Sequence, residues 1–302
     1  MDITFLGTGG SVPTTKRSTV AIALRIGPEV ILFDCGEGTQ RQLMASSVSF
    51  MRISRVFLTH HHGDHFLGLP GLIQSMNFYG RSAPLDVYGP SGTAKMTKAM
   101  LELGIFDLRY EVDGHDLTPG DEVRGEGHSV TAFQAEHTVP ALGYVFQEDQ
   151  RPGRFDVERA LALGVVEGPS FARLVEGGNV KGRGGIVTPA MVMGPPRKGI
   201  RVVYSGDTAP CQGLERACQG ADVLVHEATV ASELEDKARE FGHSTARDAA
   251  ELAKRAGVAS LYLVHISGRY EDPSPLLEEA RGIFPSTIIP NDLDSFVVRR
   301  AL

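Results

Sequence analysis

Thr59-His60-His61-His62-Gly63-Asp64-His65 follows an apolar, strand-like run over 55–59 and places four of the chain's ten histidines within six positions. Imidazole nitrogen and carboxylate oxygen are the usual donors to zinc and related divalent metals. His60 and His62 are two apart, so an extended chain points both the same way. Gly63, lacking Cβ, lets the backbone turn back and bring Asp64 and His65 to the same point. One short loop thus offers two ligands to one metal and two to a neighbour, while His61 points away. A tag or solvated loop does not account for the run, which is internal, follows an apolar strand and contains an Asp.

A two-metal site needs further ligands from distant strands, and three residues stand at strand ends. His137 follows a strand over 130–135, Asp207 follows 202–204 within Tyr204-Ser205-Gly206-Asp207-Thr208, and His265 follows 261–264. Ligands in α/β proteins gather at such ends. Other strands are expected over 3–6, 20–26, 30–34, 85–88, 142–146, 223–225 and 295–298. Helices are expected over 37–46, 91–103, 213–219, 231–240, 245–256 and 275–282, with Ser244 as a start and Gly257 as a stop. The alternation implies an α/β protein whose sheets, two at this length, are covered by helices. His115 and His128 fall in polar stretches and read as solvent-exposed loop residues. Leu6-Gly7-Thr8-Gly9-Gly10 lacks the third glycine of a dinucleotide fingerprint, since position 12 is Val12.

The 302 residues, 42% hydrophobic and 22% charged, can bury a substantial core, which excludes disorder. No apolar run approaches the ~20 residues that span a bilayer. Three cysteines, Cys35, Cys211 and Cys218, argue against a disulfide framework, and the start Met1-Asp2-Ile3-Thr4-Phe5-Leu6 carries no export signal. A cytoplasmic protein without a membrane partner is the expectation. The net charge of −7 hides a contrast: residues 151–200 hold eight Lys or Arg against four Asp or Glu, and ten of the 35 glycines. The segment 147–199, with one expected helix over 155–163, reads as an inserted glycine-rich basic arm without a core of its own.

His60-x-His62-x-Asp64-His65, with the later His137, Asp207 and His265, resembles the metallo-β-lactamase superfamily pattern. Within it, Phe5-Leu6-Gly7-Thr8-Gly9-Gly10-Ser11-Val12-Pro13, Phe33-Asp34-Cys35-Gly36-Glu37-Gly38-Thr39-Gln40, His137-Thr138-Val139-Pro140-Ala141-Leu142-Gly143-Tyr144, His226-Glu227-Ala228-Thr229, His243-Ser244-Thr245 and His265-Ile266-Ser267-x-Arg269-Tyr270 resemble the ribonuclease Z family, endonucleases that trim the 3′ end of precursor tRNA. The resemblance runs from residue 2 to about 270. It implies a four-layer αβ/βα sandwich, one domain over 1–302, and an inserted arm over 147–199 that protrudes and grips tRNA, usually within a homodimer.

The resemblance also implies two Zn2+ per subunit. His60, His62 and His137 would hold one, Asp64, His65 and His265 the other, and Asp207 would bridge them. Hydroxide generated at the metals would cut precursor tRNA to leave a tRNA 3′-hydroxyl and a trailer 5′-phosphate, with Asp64, Glu227 and His243 as the catalytic side chains. His243 would protonate the leaving oxygen and Glu227 orient it. The chain departs from the family's Pro-x-Lys/Arg-x-Arg-Asn loop, reading Pro13-Thr14-Thr15-Lys16-Arg17-Ser18. Two other classes share the metals. A small-molecule phosphodiesterase, lactonase or thioesterase has no use for the basic arm. A di-iron redox protein typically has Glu in place of His62, and a decayed subunit loses ligands.

Overall fold

Asp2–Gly7, Ala21–Ile26 and Glu29–Phe33 form an antiparallel meander that Ile53–Phe57, Leu85–Gly89 and Val112–Asp116 extend in parallel, with Ser295–Val297 on the far edge. A second seven-stranded sheet has the order Thr287–Ile288, Ser260–Val264, Val223–Glu227, Arg201–Tyr204, Leu142–Glu148, His128–Gln134, Glu122–Gly125. The structure, a computed structural model, describes residues 1–298; the last four residues of the domain expected over 1–302 lie outside them. Two compact units emerge, residues 1–147 with 200–302, and residues 148–199.

Within the larger unit, the facing sides of the two sheets bury Phe5, Ile22, Phe33 and Phe57 against Tyr144, Val202, Tyr204 and Val225. Each large side chain buried there contributes roughly 2–3 kcal/mol. The outer face of the first sheet is covered by helices Thr39–Ala45, Leu69–Phe78 and Thr93–Leu101, through Leu43, Leu72, Ile73, Met76 and Met100. Helices Gln212–Cys218, Ala246–Ala256 and Ser274–Ile283 cover the second through Leu214, Leu252 and Leu276. Alanines at 246, 249, 250 and 253 face the sheet and let Ala246–Ala256 lie close to it. This is the four-layer αβ/βα sandwich.

Parallel strands aim their carboxyl ends at one edge. Arg201–Tyr204, Val223–Glu227 and Ser260–Val264 run parallel, and the residues that follow them, Asp207, Ala228 and His265, leave from that edge. Gly9–Gly10 pairs with Ile266–Ser267, stitching the amino-terminal segment to the same place.

Several expectations shift. Helix Ala246–Ala256 is capped by Thr245 and not Ser244: Thr245 Oγ1 accepts from Asp248 N–H, and Asp248 returns the bond to Thr245 N–H at 2.8 Å. The Ser244 hydroxyl instead donates to Thr208 O at 2.6 Å. Gly257 stops the helix with φ 66°. His128 is fully buried in its strand, with its ring 5.2 Å from that of Phe146. His115 lies in Val112–Asp116, stacked on Tyr88 and bonded to Asp86 at 2.9 Å. Polar neighbours hid the strand of His115, and the strand expected over 130–135 begins two residues earlier, at His128. Residues 148–199 hold helices Val157–Ala162, Pro169–Val175 and Pro189–Val192, a hairpin of Val180–Gly182 with Gly185–Val187, and a small core of Ala160, Val165, Leu174, Val187 and Val192. The segment has a core of its own, contrary to expectation, because its few apolar residues are spread thinly among glycines and show no period.

Burial pushes the Asp248 carboxyl up, but bonds from Thr245 and Arg239 outweigh it and hold its pKa below the ordinary 3.8. A depressed carboxylate stabilises the fold above its unfolded pKa and ceases to as pH falls through the folded one. Asp248→Ala is therefore expected to cost about 1 kcal/mol, a fall in Tm of roughly 2 °C, at pH 7. The deficit should shrink below pH 3.8. Thermal melts across that range check it, and a deficit that grows in acid would contradict the assignment.

Candidate functional site

Strand Ile53–Phe57 ends two residues before Thr59, and His62, extended at φ −73°, ψ 145°, caps the short helix Gly63–Phe66. His60 Nε2 and His62 Nδ1 approach to 3.0 Å, and His137 Nε2 lies 3.3 Å from the same His62 nitrogen. Asp207 Oδ2 sits centrally, 3.2 Å from His265 Nε2, 3.3 Å from His65 Nε2 and 3.9 Å from His60 Nε2. Asp64 Oδ2 stands 3.3 Å from His265 Nε2 and 3.6 Å from His65 Nε2. All seven donors expected from the sequence come together. His61 does point elsewhere, to Thr93 Oγ1 at 2.9 Å.

The outer nitrogens of four rings decide which way their lone pairs face. Asp34 accepts from His65 Nδ1–H at 2.8 Å, and Gly242 O accepts from His137 Nδ1–H at 2.9 Å. The Thr229 hydroxyl donates to Glu227 Oε2 at 2.7 Å and so accepts from His265 Nδ1–H at 2.8 Å. The Thr59 hydroxyl donates to Asp34 Oδ2 at 2.9 Å and so accepts from His60 Nδ1–H at 3.0 Å. Each Nε2 therefore turns a bare lone pair inward. With these four rings neutral, their lone pairs and two carboxylates converge on one point, and the buried His65 Nε2 has no hydrogen-bond partner. Such a set is repulsive unless a cation lies among it. Bonds of 2.0–2.1 Å at a tetrahedral angle put donors about 3.4 Å apart, which the 3.0–3.3 Å between His60, His62 and His137 approaches. The residues fit a metal centre.

In the ion-free protein, protons on the imidazoles supply part of that positive charge. Burial raises the Asp64 and Asp207 carboxyls, yet His265 and His65 outweigh it, holding Asp64 at about 2 and Asp207 well below the usual range. Burial opposes charge on His65, but Asp207 and Asp34 hold its pKa well above the ordinary value. Burial dominates at His60 and drives it well below.

Sequence reasoning assigned no role to Asp34, Ser11 or Thr229. Asp34 is fully buried at φ 54° and accepts from Thr59 N–H at 2.7 Å and from the Tyr204 hydroxyl at 2.6 Å. Ser11, at φ 63°, gives its N–H to Asp64 Oδ2 at 2.7 Å. His265 also has positive φ, so three of the four such non-glycine residues among those described surround the site. A Cβ on Gly10 would lie 2.5 Å from the His265 ring, so only glycine passes there. Arg17, in the loop that departs from the family pattern, is turned inward to Pro290 O at 2.8 Å, and Ser18 N–H donates to Asp292 at 2.6 Å. That arginine is part of the framework.

Glu227 and His243 form a second pair beside the donors. Glu227 Oε1 lies 2.8 Å from His243 Nδ1 and accepts from Thr208 N–H at 3.0 Å. Burial would raise the carboxyl, but His243 keeps it below the usual value; burial would lower His243, but Glu227 pushes it up to about 9. His243, His62, Asp64, His137, Lys237 and Arg269 share the wall of a cavity of about 430 Å³.

Two packed sheets flanked by helices, with histidines and carboxylates converging at one sheet edge, define a member of the metallo-β-lactamase superfamily. Its family model matches residues 14–151, and a beta-lactamase superfamily domain model matches 175–266. The Ribonuclease Z of Methanosarcina acetivorans is 49% identical over 292 residues, 96% of each chain. That of Methanothermobacter thermautotrophicus is 47% identical over 99% of this chain and 97% of its own. The crystal structure of the short form of human tRNase Z superposes with a TM-score of 0.72 at 29% identity, covering 99% of this chain and all of that one. The chain belongs to the ribonuclease Z family.

Proposed function

We propose that this chain is a zinc-dependent endoribonuclease that removes the 3′ trailer of precursor tRNA in the cytoplasm, leaving a tRNA 3′-hydroxyl and a trailer 5′-phosphate. The carrying observation is likeness to Ribonuclease Z over nearly the whole of both chains, at 49% identity. His60, His62 and His137 would hold one zinc, Asp64, His65 and His265 the other, and Asp207 both. When bound, the ions supply a nucleophile from water near neutral pH and neutralise charge on the phosphate.

The side chains do the rest. Asp64, with Oδ2 fixed by Ser11 N–H, orients the attacking water and takes its proton. His243, held protonated by Glu227, gives a proton to the departing 3′ oxygen. Glu227 is its positioning residue, locked by Thr208 and Thr229. The basic, independently cored segment 148–199 suits a tRNA-gripping arm. Exposed Phe78, Tyr79, Leu103 and Ile105 support a homodimer. No helix among the described residues is long and apolar enough to cross a membrane.

End-labelled precursor tRNA, with and without a trailer and CCA, tests the reading against an Asp64→Ala control. Cleavage beside the discriminator nucleotide, leaving a 3′-hydroxyl and absent in the control, is the expected result. Turnover of a small phosphodiester or ester without any cut in tRNA would overturn it in favour of a small-molecule hydrolase.

A further inference from the structure

Phe241 is the first residue after helix Glu235–Glu240 and is 57% exposed. It lines the cavity that His243, His137 and Asp64 also line. Its backbone is fixed by Phe241 N–H to Lys237 O at 3.2 Å, Gly242 N–H to Arg239 O at 3.2 Å and His243 N–H to Ala238 O at 2.7 Å. Gly242 adopts φ 69°, where a Cβ would come within 3.0 Å of His137, and its carbonyl holds the His137 ring. The turn carrying Phe241 is thus pressed against the catalytic centre on one side and continues into His243 on the other. Lys237 lies one helical turn before Phe241 and lines the same cavity, so a cation and an aromatic face stand together on one wall.

An apolar ring left open to solvent in a polar site has a use when a flat, apolar-faced group is to be bound. A nucleic-acid base beside a phosphate is such a group, and stacking on aromatic side chains is how proteins hold unpaired bases. The position relative to His243 says which base. His243 serves the departing 3′ oxygen, and Phe241 is two residues away, so the nearest base belongs to the nucleotide that carries that oxygen. We propose that Phe241 is the stacking platform for the base of the nucleotide immediately 5′ of the scissile phosphate, with Lys237 meeting the neighbouring backbone phosphate. The assignment rests on the functional reading above and adds a specificity-determining residue to it.

The test compares wild type, Phe241→Ala and Phe241→Tyr on three precursor tRNAs: intact, abasic at the nucleotide 5′ of the cut, and abasic at the first trailer nucleotide. On the intact substrate Phe241→Ala is expected to lower kcat/KM by about 5- to 150-fold, carried mainly by KM, with Phe241→Tyr close to wild type. On the substrate abasic 5′ of the cut, wild type and Phe241→Ala should be equal, while the trailer-abasic substrate should preserve their difference. Hydrolysis of bis(p-nitrophenyl) phosphate should be the same in all three proteins. An undiminished Phe241→Ala defect on the substrate abasic 5′ of the cut overturns the stacking assignment, as does equal loss on the small diester. A wild type that turns over the small diester and leaves all three tRNAs whole overturns the functional reading itself, and is thereby distinguished.

Discussion

An Asp207→Ala variant is expected to lose at least about a thousandfold in precursor-tRNA cleavage, roughly 4 kcal/mol of barrier, together with most of its bound metal. One oxygen of this carboxylate lies within 3.2–3.9 Å of three imidazole nitrogens, from His265, His65 and His60. Their lone pairs face it, so the negative charge at the centre is what makes the spot attractive to a cation. Asp207→Asn keeps the shape and discards the charge, and it should fail almost as badly. Thermal stability of the metal-free protein should change less than activity, since His65 keeps Asp34 as a charge partner and the packed cores are untouched. Metal content by mass spectrometry, read beside activity and a melting curve, decides it. A variant that keeps its metal complement and works within tenfold of wild type would remove Asp207 from the centre.

The donors of this site were legible because their chemistry is carried by residue type. Four histidines and an aspartate in one loop mean little else, and His137, Asp207 and His265 stand just past apolar runs that could be read as strands. Their supports were not legible. Asp34 looks like any acidic residue after a strand until Tyr204, Thr59 and His65 fold onto it from three separate parts of the chain. Thr229 acts by accepting from His265 Nδ1–H and donating to Glu227, a relation between two strands that neither contains.

The fold was readable where apolar runs were dense, and less so where they were diluted. Helix Leu69–Phe78 has no counterpart among the expected helices; its first turn carries Pro70 and Gly71, and proline is well tolerated at a helix start. The polar edge strands Val112–Asp116 and Glu122–Gly125 pack mainly by pairing, so they show no apolar alternation. The small core within 148–199 fails the same way, being five residues scattered among glycines. Arg17, in the loop that departs from the family pattern, belongs to the framework, half-buried against Pro290, and its charge alone did not reveal that.

His243→Ala is expected to cut kcat by about a hundred- to ten-thousandfold while leaving metal content unchanged, the range for losing one general acid. The contrast with Asp207 is the point: both residues line one cavity, but Asp207 lies between the His265, His65 and His60 nitrogens, while His243 Nδ1 is tied to Glu227. Glu227→Gln keeps the hydrogen bond to His243 and removes the charge that lifts its pKa to about 9. It should therefore lose a substantial part of the same factor with metal content unchanged. The decisive measurement is the double variant. If Glu227 acts only by holding and charging His243, then with His243 already gone the glutamine costs nothing further, and the double variant matches His243→Ala within about twofold. Full additivity of the two losses would mean that Glu227 serves the reaction independently, through Thr229 and the His265 ring it also supports.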